Sequence, residues 1–231
     1  MTQGGTRVWA GTTLDARRDA RRRKLLEVGF ELLGGPGSAA VTVRSVCRHA
    51  RLTDRYFYES FADRDELLVA VYDQVAEQAR DVLADAVAAS VRAGASPEGV
   101  ARAAVEAFLG LLTRDPRKGR VLLLAPMTDA ALSARAVELM PMFGELIRAQ
   151  LATAAEAATA PSAPPEAAGA SDPLAERMTA TALIGALSNL FIRWLDGTLA
   201  ASERELTDYC VRLLVSAVPL ASRATDSSRQ R

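Results

Sequence analysis

The residues of this chain best equipped for chemistry lie close together, between Thr42 and Leu68. Arg44, Arg48, Arg51, Arg55 and Arg64 recur there, interleaved with Tyr56, Phe57, Tyr58 and Phe61. A guanidinium is a planar fork of donors that bonds in pairs to a phosphate or to the O6/N7 edge of guanine. The chemistry on offer is therefore recognition of a polyanion rather than the making of bonds. Enzyme machinery is missing from the sequence. His49 is the single histidine among 231 residues, which removes acid–base triads and histidine metal sites. No nucleophile motif, phosphate-binding glycine loop or carboxylate–histidine set is present, so the expectation is a chain that is not an enzyme, with no cofactor and no metal. Cys47 and Cys210 fit neither a metal spacing nor a disulfide framework. Cys47 reads as a small core hydrophobe. Cys210 reads as a buried thiol or as one that approaches its mate across a dimer axis.

Helices must position those residues. Hydrophobic residues make up 49% of the chain and aromatics only 5%, with alanine abundant, which favours an all-α fold with a sizeable core. An arm over 1–14 without periodicity precedes a first helix from Asp15 to Leu33, halted by the glycines and proline of 34–37. Thr42 caps a second helix bearing Val43, Val46, Cys47 and Ala50 at helical spacing. Thr53 caps a third helix reaching about Ser60, and Asp63 opens a fourth, with Glu66 reaching back to the Asp63 amide as a capping box. Ser96 and Pro97 start a helix ending near Leu112; a turn and short buried helix follow, then a helical stretch from Asp129 to Ala157 kinked at Pro141. Three prolines, Pro161, Pro164 and Pro165, mark 158–172 as a loop without apolar period. Two more helices, from Pro173 to Leu195 and from a Ser202/Glu205 capping box to Val218, precede a polar tail over 221–231. The count is about nine helices.

Charge is unevenly placed. Through Asp65 the chain carries 12 Lys and Arg against 8 Asp and Glu, and the remainder carries 16 against 20. A basic head on a mildly acidic body fits a polyanion-binding module joined to a part with another task. The second and third helices, joined by the turn at 50–53, have helix-turn-helix dimensions, and the third is short enough to enter a major groove about 12 Å wide. Phe57 and Phe61, four apart, anchor that helix on Val43, Val46 and Cys47. Tyr56 and Tyr58 are read either as further core or as wet-side contacts.

From Arg18 to Val71 the pattern resembles the tetracycline-repressor (TetR) family of bacterial transcription regulators. A basic first helix, TVRSVCRHARLT, DRYFYESF and ADRDELL stand in that family's order. Tyr58 and Phe61 match its Tyr-x-x-Phe signature, and Arg64 stands where a lysine is usual. Arg51 stands where glycine is common, which strains the backbone if φ there is positive. The resemblance implies a three-helix DNA-binding domain over 15–62 and a ligand-binding and dimerisation domain over 63–220. It implies phosphate contacts from Thr42, Arg44, Tyr58 and Arg64, and base reading from Thr53, Asp54, Arg55 and Tyr56. The run Arg17–Lys24 is either a solvated face or a contact to backbone or minor groove, and His49 is a surface residue of the second helix.

The expected function is a cytoplasmic, ligand-responsive homodimer, acting as a repressor on a palindromic double-stranded DNA operator. An apolar or amphipathic small molecule of unknown identity would release it. Candidate pocket residues are Tyr72, Val75, Phe108, Leu112, Leu123, Met127, Met140, Phe143 and Trp194. Ala182, Gly185 and Ala186 permit close helix approach, and Leu206, Leu213 and Leu214 supply apolar contact for the dimer. No apolar run of 18 residues or more and no signal-peptide core are present, so no membrane partner is expected. The alternatives are a DNA-binding architectural protein without an effector and an all-helical enzyme.

Overall fold

A computed structural model describes residues 14–159 and 173–222, with backbone alone over 150–159 and 219–222. The arm, the loop and the tail expected at 1–14, 158–172 and 221–231 fall almost wholly outside these residues. The described residues are all-α, without a strand. Nine α-helices run α1 (Leu14–Gly34), α2 (Val43–Ala50), α3 (Asp54–Tyr58), α4 (Arg64–Arg92), α5 (Pro97–Arg114), α6 (Pro116–Gly119), α7 (Ala130–Thr159), α8 (Pro173–Leu195) and α9 (Glu203–Ser222).

The chain divides into two compact units. One comprises the residues up to Ala76 together with Pro116–Arg135; the other comprises Glu77–Asp115 and the residues from Ala136 onward.

In the first unit, Leu25, Leu33, Val41, Val46, Phe57, Phe61, Leu67 and Leu68 are buried and form the core around which α1 to α4 pack. Gly29 lets α1 lie close to α4, since a Cβ there would stand 3.0 Å from Val71 Cγ2. The segment after α5 is not a single short helix. Pro116 starts α6, residues Arg120–Leu124 form a π-helical turn, and Ala125–Met127 a 3-10 turn. This segment docks on the C-terminal end of α1. Arg120 Nη1 donates to Gly34 O at 3.1 Å, and the Arg117 guanidinium lies 4.9 Å from the Phe30 ring centre. Asp129 then caps α7, its Oδ1 accepting from the amides of Ala131 (3.2 Å) and Leu132 (3.4 Å). α7 is bound to α4 by a two-pronged ion pair, Arg135 Nε and Nη2 to the Asp73 carboxylate at 2.7 and 3.0 Å.

In the second unit α9 packs on α5 and α8. Arg102 Nη1 on α5 donates to Asp208 Oδ1 on α9 at 2.8 Å, and this bond holds the Asp208 carboxyl below its ordinary value. Ser96 caps α5 with Pro97 in its first turn, and Ser202 and Glu205 form a capping box before α9. α8 spans Pro173–Leu195 as its apolar period and Gly197 predict, the glycine taking φ 78° beyond it. α7 continues through Pro141. α8 is long and apolar enough to cross a membrane by length and composition.

Candidate nucleic-acid interface

The helix-turn-helix is built from its caps inward. Thr42 and Ser45 exchange side-chain-to-amide bonds of 3.0 Å each, closing the N-terminus of α2, while Val46, Cys47 and Ala50 bury its inner face. α2 ends on Arg51 in the left-handed region, φ 56° and ψ 42°, the one non-glycine residue with positive φ among those described. The strain foreseen for a side chain at this turn is therefore present. Thr53 leads into α3 in extended conformation, but its hydroxyl makes no capping bond. Phe57 is fully buried and Phe61 nearly so, their ring centres 5.8 Å apart. These rings fix α3 from below, as their spacing predicts.

Above them, Thr42, Arg44, Thr53, Asp54 and Arg55 are exposed. Tyr58 is 59% exposed and stands edge-on to Phe57, whereas Tyr56 is half-buried under Arg21, whose guanidinium lies 4.4 Å from the ring centre. Both open tyrosines thus have a wet side. Burial pushes the Cys47 thiol up to about 11, and its hydrogen bond to the Asp54 carboxylate pushes the same way. A thiol held neutral in this way is a poor nucleophile. His49 is exposed on α2 with Nδ1 at 2.7 Å from Ser45 O.

Arg64 differs from its neighbours. Its Nε donates to Val41 O (2.7 Å), Nη2 to Ser38 O (2.9 Å) and to Asp129 Oδ2 (2.8 Å), and Nη1 to Asp65 Oδ1 (2.6 Å). Burial works against the charged guanidinium, yet the bonds to Asp129 and Asp65 outweigh it and hold its pKa above the ordinary arginine value. The side chain expected to reach a phosphate is committed within the protein, tying the turn before α2 to the start of α7. The capping box ahead of it is also shifted. Asp63 Oδ1 accepts from the Glu66 amide at 2.8 Å, but the Glu66 carboxylate accepts from Ala62 N, at 2.5 Å, instead of the Asp63 amide.

Three arginines of the basic run of α1 point at the end of α3. Arg18 Nη2 donates to Glu59 O at 2.9 Å, Arg22 Nη1 to Ser60 O at 2.8 Å, and Arg21 Nη2 to Glu59 Oε2 at 3.3 Å. Arg22 also lies 4.3 Å from the Phe61 ring centre. Neither Glu59 nor this inward role for the arginines is apparent in the motif. Positions 18, 21 and 22 lie three and four apart on one helical face, which is the signal that could have disclosed it.

The residues proposed for a pocket and an interface fall as follows. In the first unit Tyr72 and Val75 are buried on α4, Leu123 is half-buried and Met127 is 65% exposed. Burial, then the charge of Asp73, raises the Tyr72 hydroxyl to about 12 against the opposing pull of Arg135. In the second unit Phe108 and Leu112 are buried, with the Phe108 and Phe191 rings 5.0 Å apart. Phe143 is half-buried and Met140 exposed, and Trp194 donates from Nε1 to Ala201 O at 2.8 Å. Ala182, Gly185 and Ala186 are exposed on α8, and a Cβ on Gly185 would meet nothing within 4 Å. Leu213 and Leu214 are half-buried around Leu183 and Ala217, whereas Leu206 lies within the core of its own unit.

No protein-family model matches the chain, and no curated protein sequence matches it. Solved structures do match in fold. The transcriptional regulator FadR from Bacillus subtilis, in complex with stearoyl-CoA, superposes with a TM-score of 0.65 at 14% identity, over 84% of this chain and 98% of that one. A TetR-family regulator from Rhodococcus sp. gives 0.61 at 17% identity, over 89% and 100%. The multidrug-binding protein EbrR, complexed with imidazole, gives 0.61 at 21% identity, over 90% and 97%. The chain is similar to these proteins in fold along nearly its whole length.

Proposed function

We propose that this chain is a TetR-type transcription regulator: a cytoplasmic homodimer that represses from a palindromic duplex operator and leaves it when an apolar or amphipathic small molecule binds. The observation that carries this reading is α3 itself. It is a short helix seated on two buried phenylalanines with Thr53, Asp54, Arg55 and Tyr58 exposed, in a chain whose fold is that of known regulators. Five residues contact too few bases for specificity, so two copies spaced roughly 34–36 Å apart on the duplex are required. Within the DNA-binding domain, assigned to 15–62, the direct contacts fall to Thr42, Arg44, Thr53, Asp54, Arg55, Tyr56 and Tyr58. Arg64, just beyond that domain, spends its donors on Ser38 O, Val41 O, Asp65 and Asp129.

The body, assigned to 63–220, supplies dimer and effector site. α8 supports the dimer: it is strongly apolar, yet only 17% of its apolar window is buried in the protomer. Its exposed Ala182, Gly185 and Ala186 allow a second helix to come close. The effector reading draws on the largely apolar Phe108, Leu112 and Phe143 and on the ligands of the fold neighbours, a fatty acyl-CoA in one and imidazole in another. Binding of duplex DNA from upstream of the chain's own gene tests the proposal. Preferential binding that weakens with salt at a log–log slope of about −0.9 per phosphate contacted is expected, and an apolar effector should lower it. Equal affinity for that duplex and for random sequence would overturn it.

A further inference from the structure

A five-residue helix leaves most of its carbonyls without intrahelical partners. Just past its C-terminal end, cations from α1 bond the next two carbonyls, Arg18 on Glu59 O and Arg22 on Ser60 O, where positive charge also suits the helix dipole. Among these arginines sits one carboxylate, that of Glu59. Its Oε1 accepts from Arg55 Nε at 3.2 Å and its Oε2 from Arg21 Nη2 at 3.3 Å, and Arg21 in turn lies over the Tyr56 ring. One side chain therefore reaches two residues of the reading face, Arg55 directly and Tyr56 through Arg21.

We propose that Glu59 is a specificity-positioning residue, which orients Arg55 and, through Arg21, Tyr56, so that they read bases rather than wander among phosphates. The inference rests on the reading of the chain as a regulator of duplex DNA. With Glu59 holding the Nε edge of Arg55, the Nη1/Nη2 end is left to fork onto the O6/N7 edge of guanine. An arginine without such a restraint is drawn to whichever phosphate is nearest, since that attraction is long-ranged and blind to sequence. The carboxylate also subtracts from the positive potential at this spot, which lowers affinity for random duplex. Arg55 is 84% exposed, so its ion pair with Glu59 contributes little to folding. Its effect lies in which sequence is bound.

The test is selection from a pool of randomised duplexes by the full-length wild type, Glu59→Gln, Arg55→Ala and the double variant, with affinity for random duplex and thermal unfolding measured on each. Glu59→Gln should melt with the wild type and bind random duplex as tightly or more tightly. At the base pair that Arg55→Ala also relaxes, its preference should fall about 3- to 10-fold, part of what a bidentate arginine contributes. In the Arg55→Ala background the same substitution should change that base pair no further. A wild-type preference profile in Glu59→Gln, or an equal loss on selected and random duplex, overturns the positioning role. A wild type that shows no sequence preference overturns the regulator reading and takes this inference with it.

Discussion

Arg64→Ala should unfold this protein more readily even with no DNA present. The guanidinium satisfies the carbonyls of Ser38 and Val41 and neutralises Asp129, whose side chain is only 8% exposed. Removing one partner of a buried ion pair costs about 3–5 kcal/mol, because the other charge stays buried and unpaired. Arg64 is itself 31% exposed, and solvent screens part of that interaction, so the larger values do not apply. Asp129 moreover keeps two amide donors through its capping Oδ1. A loss of about 2 kcal/mol follows, which for a chain of this size lowers the melting temperature by roughly 4–8 °C. Urea unfolding of the DNA-free protein measures it. Asp129→Asn, which keeps the cap and removes the charge, completes a double-mutant cycle with an expected coupling of about 1 kcal/mol or more. Arg44→Ala serves as control, since an exposed arginine should change stability by no more than about 0.5 kcal/mol. If Arg64→Ala behaves like Arg44→Ala and the cycle is additive, the inward bonds carry no free energy, and a phosphate contact again becomes the better account of this arginine.

Further outcomes concern the backbone and the dimer. Arg51→Gly relieves a left-handed side-chain strain of about 1–2 kcal/mol but adds roughly 0.5–1 kcal/mol of unfolded-chain freedom, so chemical denaturation should show a net gain of up to about 1.5 kcal/mol. Gly34→Ala would set a Cβ 2.6 Å from Arg117 Cβ and 3.1 Å from its Cα, and thermal unfolding should reveal a loss of about 1–3 kcal/mol. Gly185→Arg has room in the protomer, so it should leave the helical content unchanged while sedimentation shows the mass of a single chain; a dimer of undiminished affinity would move the interface away from α8.

What was legible in the sequence was what neighbouring residues decide among themselves. Thr42 before an apolar period, Ser96 before Pro97, and Ser202 three residues ahead of Glu205 each declare a helix start, because the capping bond spans only three residues. The Phe57–Phe61 pair revealed which side of α3 is buried for the same reason. The segment from Pro116 to Met127 was not legible, since a π turn has no local signature and is held here by a bond from Arg120 to a carbonyl 86 positions away. Pro141, at which a kink is expected, lies exposed inside α7, which is helical on both sides of it.

Arginine shows most clearly where reading by residue type fails. A count through Asp65 treats every cation as a point on an outward field, and that field is what suggested nucleic acid. The structure divides the arginines by where their donors go. Arg18 and Arg22 terminate on carbonyls at the end of α3, Arg21 on Glu59, and Arg64 on two loop carbonyls and two carboxylates. Arg44, Arg48, Arg51 and Arg55 are exposed on or next to the two helices of the motif, and Arg23 is exposed on α1. Net charge is the same in either description, but its use is not. Arg18, Arg21 and Arg22 brace the end of a five-residue helix, which by itself has few internal bonds to offset the cost of nucleation. On the proposed reading, the outward set would meet DNA from a surface that is already ordered, so ordering it on binding takes less from the affinity. The basic wrapper around the aromatic pair is thus two layers, one bonded within the protein and one that presents its guanidinium groups at the surface.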